Sequence, residues 1–227
     1  MLLAEDLLVL LTDDESGKFV VDGSRLDLAL AGACVIDLAM LGRIDVAGAN
    51  DVVKAGRLVV RDEKSAGDAL LDDVLKRCAE RSGAKPANAL GKLRKGLRGR
   101  LLGRLVERGI LQRTDRHLLG IFPMSRWPAV DSAHERRLVE QLAAALLRGT
   151  VPEPRTAALA GLLSAVDAAH KVVDAPDKKA VRRRAKEIRE SQWATDAVGK
   201  AIEAVESAVM VAIMAATVSA GAAGAGT

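Results

Sequence analysis

The densest group of side chains that could bind an anion lies between residues 91 and 108. Seven bases accompany a single acid, Glu107: Lys92, Arg94, Lys95, Arg98, Arg100, Arg104 and Arg108. Leucine recurs every four residues, at Leu93, Leu97, Leu101 and Leu105. This spacing keeps side chains on one helical face, so the stretch is predicted to be a basic helix with one apolar side.

Two of these bases are the best candidates for a joint anion site. Lys95 and Arg98 are three residues apart, which makes them neighbours on one face of a helix. We therefore expect them to hold a phosphate-bearing group together; the alternative is an ordinary solvated charged face. Three glycines, Gly96, Gly99 and Gly103, fall on the side of the helix away from the leucines, which suggests that another backbone or a bulky polar group approaches there. Gly109 is predicted to end the helix in a left-handed conformation.

A hairpin is predicted directly after the basic helix. Ile110–Gln112 and Leu118–Phe122 are apolar runs around a polar turn at Arg113–His117, and Pro123 should end the second strand. Four apolar side chains are too continuous for a strand with one solvated face: Leu118, Leu119, Ile121 and Phe122. The hairpin is therefore predicted to contact a second copy of the chain or a membrane surface, or else to be a small buried element.

The charge distribution also points to an anionic partner. The chain has 227 residues and a net charge of +4, but residues 1–75 carry 15 acids and 7 bases, which leaves 15 acids and 27 bases downstream. An asymmetry of this kind indicates a membrane surface, a nucleic acid or a phosphorylated ligand. With only two Trp and two Phe residues and no Tyr, the chain lacks the aromatic platforms on which nucleic-acid-binding proteins stack bases.

The sequence predicts no catalytic residue, no metal site and no cofactor. Its three histidines, His117, His134 and His170, are not spaced as metal ligands, and no nucleophile motif frames the serines. Cys34 and Cys78 lie in apolar helical context and are predicted to be reduced and buried, which favours a cytosolic setting. The N-terminal segment has acids where a secretion signal needs bases.

The predicted fold is mainly α, a single compact helical domain with short β-strands and a protruding β-hairpin. Ser24 and Asp27 resemble a capping box that opens a helix reaching Leu41. Short strands are predicted at Ile44–Val46 and Arg57–Arg61. The last 21 residues are uncharged and near membrane-spanning length, but they are rich in Ala and Gly. They are predicted to form a buried helix to Val218, which gives a domain over residues 1–218 and a flexible tail over 219–227.

Several interrupted blocks resemble the Golgi phosphoprotein 3 (GPP34) family. They read MLLAEDLLVLLTDDESGK, LALAGACVIDLAMLGRIDV, GDALLDDVLKRC and LRGRLLGRLVERGIL, followed by the hairpin, and they match the family in order over about residues 2–172. The resemblance implies a helical domain that binds phosphatidylinositol 4-phosphate at a membrane and self-associates through the hairpin. It also implies, for eukaryotic members, a Golgi location and binding to the cytosolic tails of glycosyltransferases. The Ala-, Gly- and Arg-rich composition favours a bacterial member.

The ligand residues of the family transfer to this chain only in part. Its two arginines on the basic helix correspond to Lys95 and Arg98, so both positive charges persist. Its tryptophan corresponds to Asp22 and a third arginine to Ala31, and both departures should weaken phosphate binding. Arg25 is the nearby residue that could compensate.

Two other classes of protein fit parts of the pattern. A basic helix followed by a hairpin is also the layout of a winged-helix nucleic-acid binder, although the leucines occupy one face and the glycines leave few base-reading side chains on the other. A scaffold that oligomerises through the hairpin without binding lipid is the third class.

Overall fold

Most of the described chain is helical, with two short antiparallel sheets. The computed structural model describes residues 1–118, 122–190 and 197–223. The helices in the first half are α1 (Leu3–Leu10), α2 (Gly23–Met40), α3 (Ala69–Ala79), α4 (Pro86–Leu93) and α5 (Leu97–Glu107). Those in the second half are α6 (Ala133–Leu147), α7 (Pro154–Ala165), α8 (Ala169–Val172), α9 (Lys178–Glu190) and α10 (Ala197–Ala223). The strands are β1 (Ile44–Val46), β2 (Leu58–Val60), β3 (Thr114–Leu118) and β4 (Phe122–Arg126). The prediction of a mainly α domain with short strands is confirmed.

Helix α2 is the centre of the packing. From Leu26 to Ala39 every side chain except Asp27 is buried. A helix that is apolar on all sides has to be surrounded by other elements, and α2 contacts α1, α3, α4, α5, α7 and α10. Its position is therefore fixed around nearly its whole circumference, and only its two ends reach the surface.

Helix α10 closes the core by packing against glycines in two other helices. A Cβ atom at Gly32 of α2 would lie 2.6 Å from a methyl group of Val209, and one at Gly161 of α7 would lie 2.1 Å from Oε1 of Glu206. Both glycines are thus required by close approach of α10. The helix continues to Ala223, beyond the predicted end at Val218, and residues 224–227 lie outside the described part of the chain.

The first sheet lies where the sequence predicted it. Strand β1 has the predicted bounds and β2 falls inside the predicted Arg57–Arg61 segment; the two pair antiparallel with Ile44 opposite Val60. Cys34 and Cys78 are buried and unpaired, and burial raises the pKa of the Cys78 thiol to about 12. The part of the chain that the structure describes contains no helix long and apolar enough to cross a membrane.

The hairpin exists, but its strands lie elsewhere than predicted. The polar segment expected as the turn, Arg113–His117, largely forms β3, and Pro123 lies inside β4 opposite His117 instead of ending it. A two-stranded ribbon has two edges, so a polar strand and an internal proline are both tolerated. The Ser125 hydroxyl donates to Asp115 directly across the ribbon, at 2.8 Å, which supports this register.

Two of the four apolar residues consequently sit at the far end of the ribbon. Leu118 and Phe122 are the last and first residues of the two strands and face each other in the register. Leu119 and Ile121 lie outside the described residues, in the segment that joins the strands. The contacts predicted for these four residues stay predictions.

Candidate functional site

The basic stretch folds as two helices instead of the single one predicted. Helix α4 ends at Leu93 and α5 begins at Leu97, and between them Gly96 adopts a left-handed conformation with φ 78°. The four leucines are completely buried all the same. A turn at Gly96 therefore changes the direction of the chain without moving the apolar face out of the core. At the other end of α5, Gly109 has φ 68°, as predicted.

This break exposes the N-terminal end of α5 at the surface. The first N–H groups of a helix have no partner inside the helix, and the helix dipole places partial positive charge there. Gly96 has no side chain with which to cap them. Helix ends of this kind are favourable places for phosphate and carboxylate groups.

A cleft of about 590 Å³ opens at this corner, against the first turn of α2. Its lining residues are Ser24, Asp27, Gly91, Lys92, Arg94, Lys95, Gly96, Arg98 and Gly99. Lys95 and Arg98 are thus brought to one site as the sequence suggested, although they reach it from opposite sides of the turn and not from one helical face. Four bases against one acid give the cleft a positive potential.

Arg98 is held in place by three neighbours. Its Nε lies 3.3 Å from Oδ1 of Asp27, and its guanidinium lies 5.4 Å from the centroid of the Phe19 ring. A Cβ atom at Gly23 would lie 2.9 Å from its Nη1, so α2 begins close to the guanidinium. Burial raises the pKa of Asp27, against the opposing effect of Arg98 and Arg94. A fixed guanidinium loses little entropy on binding a ligand.

Asp27 is available for Arg98 because it does not cap α2. The side chain of Asp22 accepts hydrogen bonds from the backbone N–H of Ser24 and Arg25, at 2.9 and 3.3 Å. The predicted Ser24–Asp27 capping box is therefore wrong. The reason is that Asp22 is also a preferred cap residue, and it precedes the first turn.

The two lysines of the cleft are uncommitted, and Arg94 acts on Asp27 through its charge alone. Lys92 and Lys95 are exposed and Arg94 is half-buried. None of the three forms a salt bridge with any described residue of the chain. An anion entering the cleft would meet these cations without first displacing an internal carboxylate.

The remaining arginines of the basic stretch serve the fold. Arg100 binds Asp73 at 2.6 Å. Arg104 binds both Glu5, at 2.7 Å, and Asp68, at 2.6 Å. The stretch is therefore not a uniform cationic face. Acidic residues among positions 1–75 pair with some of its arginines inside the protein. The charge asymmetry between the two parts of the chain does not reveal which residues pair.

The two departures from the family pattern have clear structural roles. Asp22 caps α2 and Ala31 is completely buried within it, so neither offers a donor to an anion. Arg25 lies in the first turn of α2, half-buried, and is not among the residues that line the cleft. Lys92 and Arg94 also line the cleft, although the sequence did not place them in the anion site. The closeness of these bases to Lys95 and Arg98 in the sequence is the feature that could have indicated them.

A second polar group, around Asp6, is structural. His134 Nε2 lies 2.7 Å from Asp6, and Arg155 binds Asp6 at 2.6 Å and Asp37 at 3.4 Å. Asp37 also accepts from the N–H of Leu3, at 2.8 Å. These contacts fix the start of α1 against α2, α6 and α7. Within the described residues, no group of three or more His, Cys, Asp or Glu side chains is arranged to hold a metal ion.

The chain also matches a known protein family. A family model described as Golgi phosphoprotein 3 (GPP34) matches residues 3–205. The matched range includes α2, α4 and α5, which line the cleft, together with the hairpin and α9.

Proposed function

Because the chain belongs to the Golgi phosphoprotein 3 (GPP34) family, we propose that it is a non-enzymatic peripheral membrane protein that binds an anionic lipid headgroup. The ligand is phosphatidylinositol 4-phosphate or another phospholipid, and the site is the cleft at the α4–α5 turn. The location that follows is the cytosolic face of a membrane, the Golgi if the organism is eukaryotic.

One observation carries the proposal: Lys95 and Arg98 meet at an open cleft beside an uncapped helix N-terminus. Arg98 is positioned by Asp27 and Phe19, while Lys92 and Lys95 remain exposed. Fixed donors together with mobile ammonium groups suit a phosphate that approaches from outside. A cleft at the surface also suits a headgroup whose acyl chains stay in the bilayer.

The identity of the lipid is the finer part of the proposal. The family resemblance implies phosphatidylinositol 4-phosphate, but Asp22 and Ala31 supply neither the aromatic nor the third arginine of that pattern. The cleft retains enough charge for a phosphate monoester or for a phosphodiester with an anionic headgroup. We therefore propose phosphate recognition without assigning the rest of the headgroup.

The hairpin is proposed to mediate self-association and shallow membrane contact, through Leu118, Leu119, Ile121 and Phe122. The observation in its favour is the register, which places Leu118 and Phe122 at the end of the ribbon farthest from Thr114 and Arg126. The family resemblance also implies that the cytosolic tails of membrane enzymes are partners. We propose no nucleic-acid partner, since Arg100 and Arg104 are engaged by carboxylates.

The proposal is tested by sedimentation of the purified chain with vesicles. Four compositions are compared: phosphatidylcholine alone, and phosphatidylcholine with phosphatidylserine, phosphatidylinositol or phosphatidylinositol 4-phosphate at equal total charge. We expect binding to at least one anionic composition and none to phosphatidylcholine alone, with displacement by soluble inositol 1,4-bisphosphate. Tight binding to duplex DNA with no binding to any vesicle would overturn the proposal in favour of a nucleic-acid binder.

A further inference from the structure

Helix α9 carries the densest run of bases outside the cleft. Lys178–Glu190 contains seven basic residues and two acids, Glu187 and Glu190. Val181, Ala185 and Ile188 form the buried stripe of this helix. The stripe packs against the body of the protein, so the charges occupy the flanks and the outer face.

One flank of α9 holds most of the bases and faces α8. At 100° per residue, five bases fall within an arc of about 100° beside the buried stripe: Lys178, Lys179, Arg182, Lys186 and Arg189. Arg189 is nearly buried and binds Glu190 at 3.2 Å, so it is not part of the exposed surface. Arg182 binds Asp167 at 2.9 Å and lies 3.0 Å from Nε2 of His170 in α8. The flank is therefore turned toward the α7–α8 connection and not away from it.

The same side of the molecule leads directly to the cleft. Lys171 of α8 donates from Nζ to the carbonyl oxygen of Val20, at 2.8 Å. Val20 adjoins Phe19, whose ring lies 5.4 Å from the guanidinium carbon of Arg98. Positive charge thus continues from the cleft through Lys171 to α9, and half-buried apolar residues lie between them.

Most of this charge is free to act on a partner. Lys178 and Lys179 form no salt bridge within the described part of the chain, and the ion pair between Lys186 Nζ and Glu190 is loose, at 3.9 Å. Asp177 offsets part of the charge but accepts the backbone N–H groups of Lys179 and Ala180, both at 2.9 Å, as the cap of α9. Arg182 is closely paired, through Asp167, and Lys171 is held by the carbonyl oxygen of Val20.

We propose that Lys171, Lys178, Lys179, Arg182 and Lys186, the α8–α9 basic band, form a second contact with the surface of an anionic bilayer. The inference rests on the proposed lipid binding at the cleft and extends it. A bilayer fits better than a nucleic acid because the band continues a headgroup site across the apolar segment at Phe19 and Val20. Binding by the band needs negative surface charge and no particular headgroup.

The test uses three charge-removing substitutions that leave the Arg182 pair intact. The variant Lys178→Gln, Lys179→Gln, Lys186→Gln is compared with Lys54→Gln, Lys64→Gln, Lys76→Gln, which removes the same charge from exposed sites elsewhere. Vesicles contain phosphatidylcholine and phosphatidylserine at low salt, and circular dichroism checks folding. Each lysine near an anionic surface contributes roughly fivefold to binding, so the band variant should bind at least about tenfold more weakly than the control.

The outcomes separate this inference from the proposed function. If the parent chain binds no anionic vesicle, both fail. If charge reversal in the cleft abolishes vesicle binding while the band variant equals its control, the band is not a membrane contact and the cleft proposal stands. A band variant that loses affinity for duplex DNA but not for vesicles overturns the inference in favour of a nucleic-acid surface.

Discussion

Arg104 of α5 binds Glu5 of α1 at 2.7 Å, and the Glu5 side chain is completely buried. A carboxylate without solvent needs compensating charge, because its desolvation costs several kcal/mol. Arg104 also binds Asp68, the cap residue of α3, so one guanidinium joins three helices. Some basic side chains of the α4–α5 stretch therefore attach it to neighbouring helices, and others are exposed in the cleft.

We predict that Arg104→Ala destabilises the fold strongly. Removing one partner of a buried ion pair typically costs about 3–5 kcal/mol, and we expect the lower end of this range because Arg108 still contacts Glu5, at 3.1 Å. Arg100→Ala is the matched control, because the Arg100–Asp73 pair is exposed and such pairs contribute about 0–1 kcal/mol. Urea unfolding followed by circular dichroism measures both. Similar losses for the two variants would show that Glu5 is satisfied without Arg104.

The glycines of the chain give a second pair of variants. Gly161→Ala would place a Cβ atom 2.1 Å from Oε1 of Glu206, so we expect a loss of roughly 1–3 kcal/mol from overpacking. Gly103→Ala meets nothing within 4 Å and lies inside α5, so we expect a gain of about 0.5–1 kcal/mol from helix propensity. Thermal unfolding distinguishes the two directions. Equal effects would contradict the packing of α10 on α7.

The open surroundings of Gly103 correct half of one expectation from the sequence. The spacing of Gly96, Gly99 and Gly103 predicts close approach by another backbone or by a bulky polar group; no backbone approaches them within the described residues, and approach of a polar ligand to Gly96 and Gly99, which line the cleft, stays a prediction. A Cβ atom at any of them meets no atom within 4 Å in the described structure. Gly96 is instead required by its positive φ, a demand that residue spacing does not reveal.

A third prediction concerns pH. Burial, together with the neighbouring Asp14, raises the pKa of Glu135 to about 8. The folded state therefore holds a proton that the unfolded state releases above about pH 4.3, and the free energy of unfolding should fall as pH rises from there to about 8. Glu135→Gln removes this titration and should flatten the decline relative to the parent. A parallel pH profile for the two proteins would show that Glu135 ionises normally in the fold.

A fourth prediction concerns the hairpin. Replacing Leu118, Leu119, Ile121 and Phe122 by serine should leave the domain folded, lower the mass measured by light scattering, and weaken vesicle binding. Burying one large apolar side chain contributes roughly 1.5–3 kcal/mol, so four support a concentration-dependent association. This variant is preferable to deletion of the hairpin, which would remove the ribbon that joins the bridged residues Leu111 and Ala129. Unchanged mass and unchanged lipid affinity would exclude both roles.

The sequence predicted the elements whose periodicity is strong and local. Leu93, Leu97, Leu101 and Leu105 are buried as expected. The turn at Gly96 leaves all four facing the core, so their spacing predicts burial on both sides of the turn. The hairpin register was wrong because Thr114–His117 is polar. In a sheet with one buried face, a wholly polar segment is more often a turn than a strand. In a ribbon with two exposed edges a strand can be polar throughout, so polarity does not identify the turn.

The site was predicted in part for similar reasons. Lys95 and Arg98 are brought together, but through a left-handed glycine and the first turn of α2, which lies some seventy residues away in the sequence. No local pattern reveals that Asp27 pairs with Arg98. Nor does local sequence reveal that Arg104 forms ion pairs with Glu5 and Asp68, because both partners belong to other parts of the chain.

The cleft is tested most directly by reversing its two exposed lysines. Arg98 is unsuitable for reversal because it pairs with Asp27 and packs on Gly23, so we choose Lys92→Glu, Lys95→Glu, with Lys54→Glu, Lys64→Glu as the control. The measurement is the fraction of protein that sediments with phosphatidylinositol 4-phosphate vesicles over a range of lipid concentrations. The account predicts at least about a tenfold loss of affinity for the cleft variant, with an unchanged far-UV spectrum and little change in the control. Equal affinities for the cleft variant and the control would contradict it.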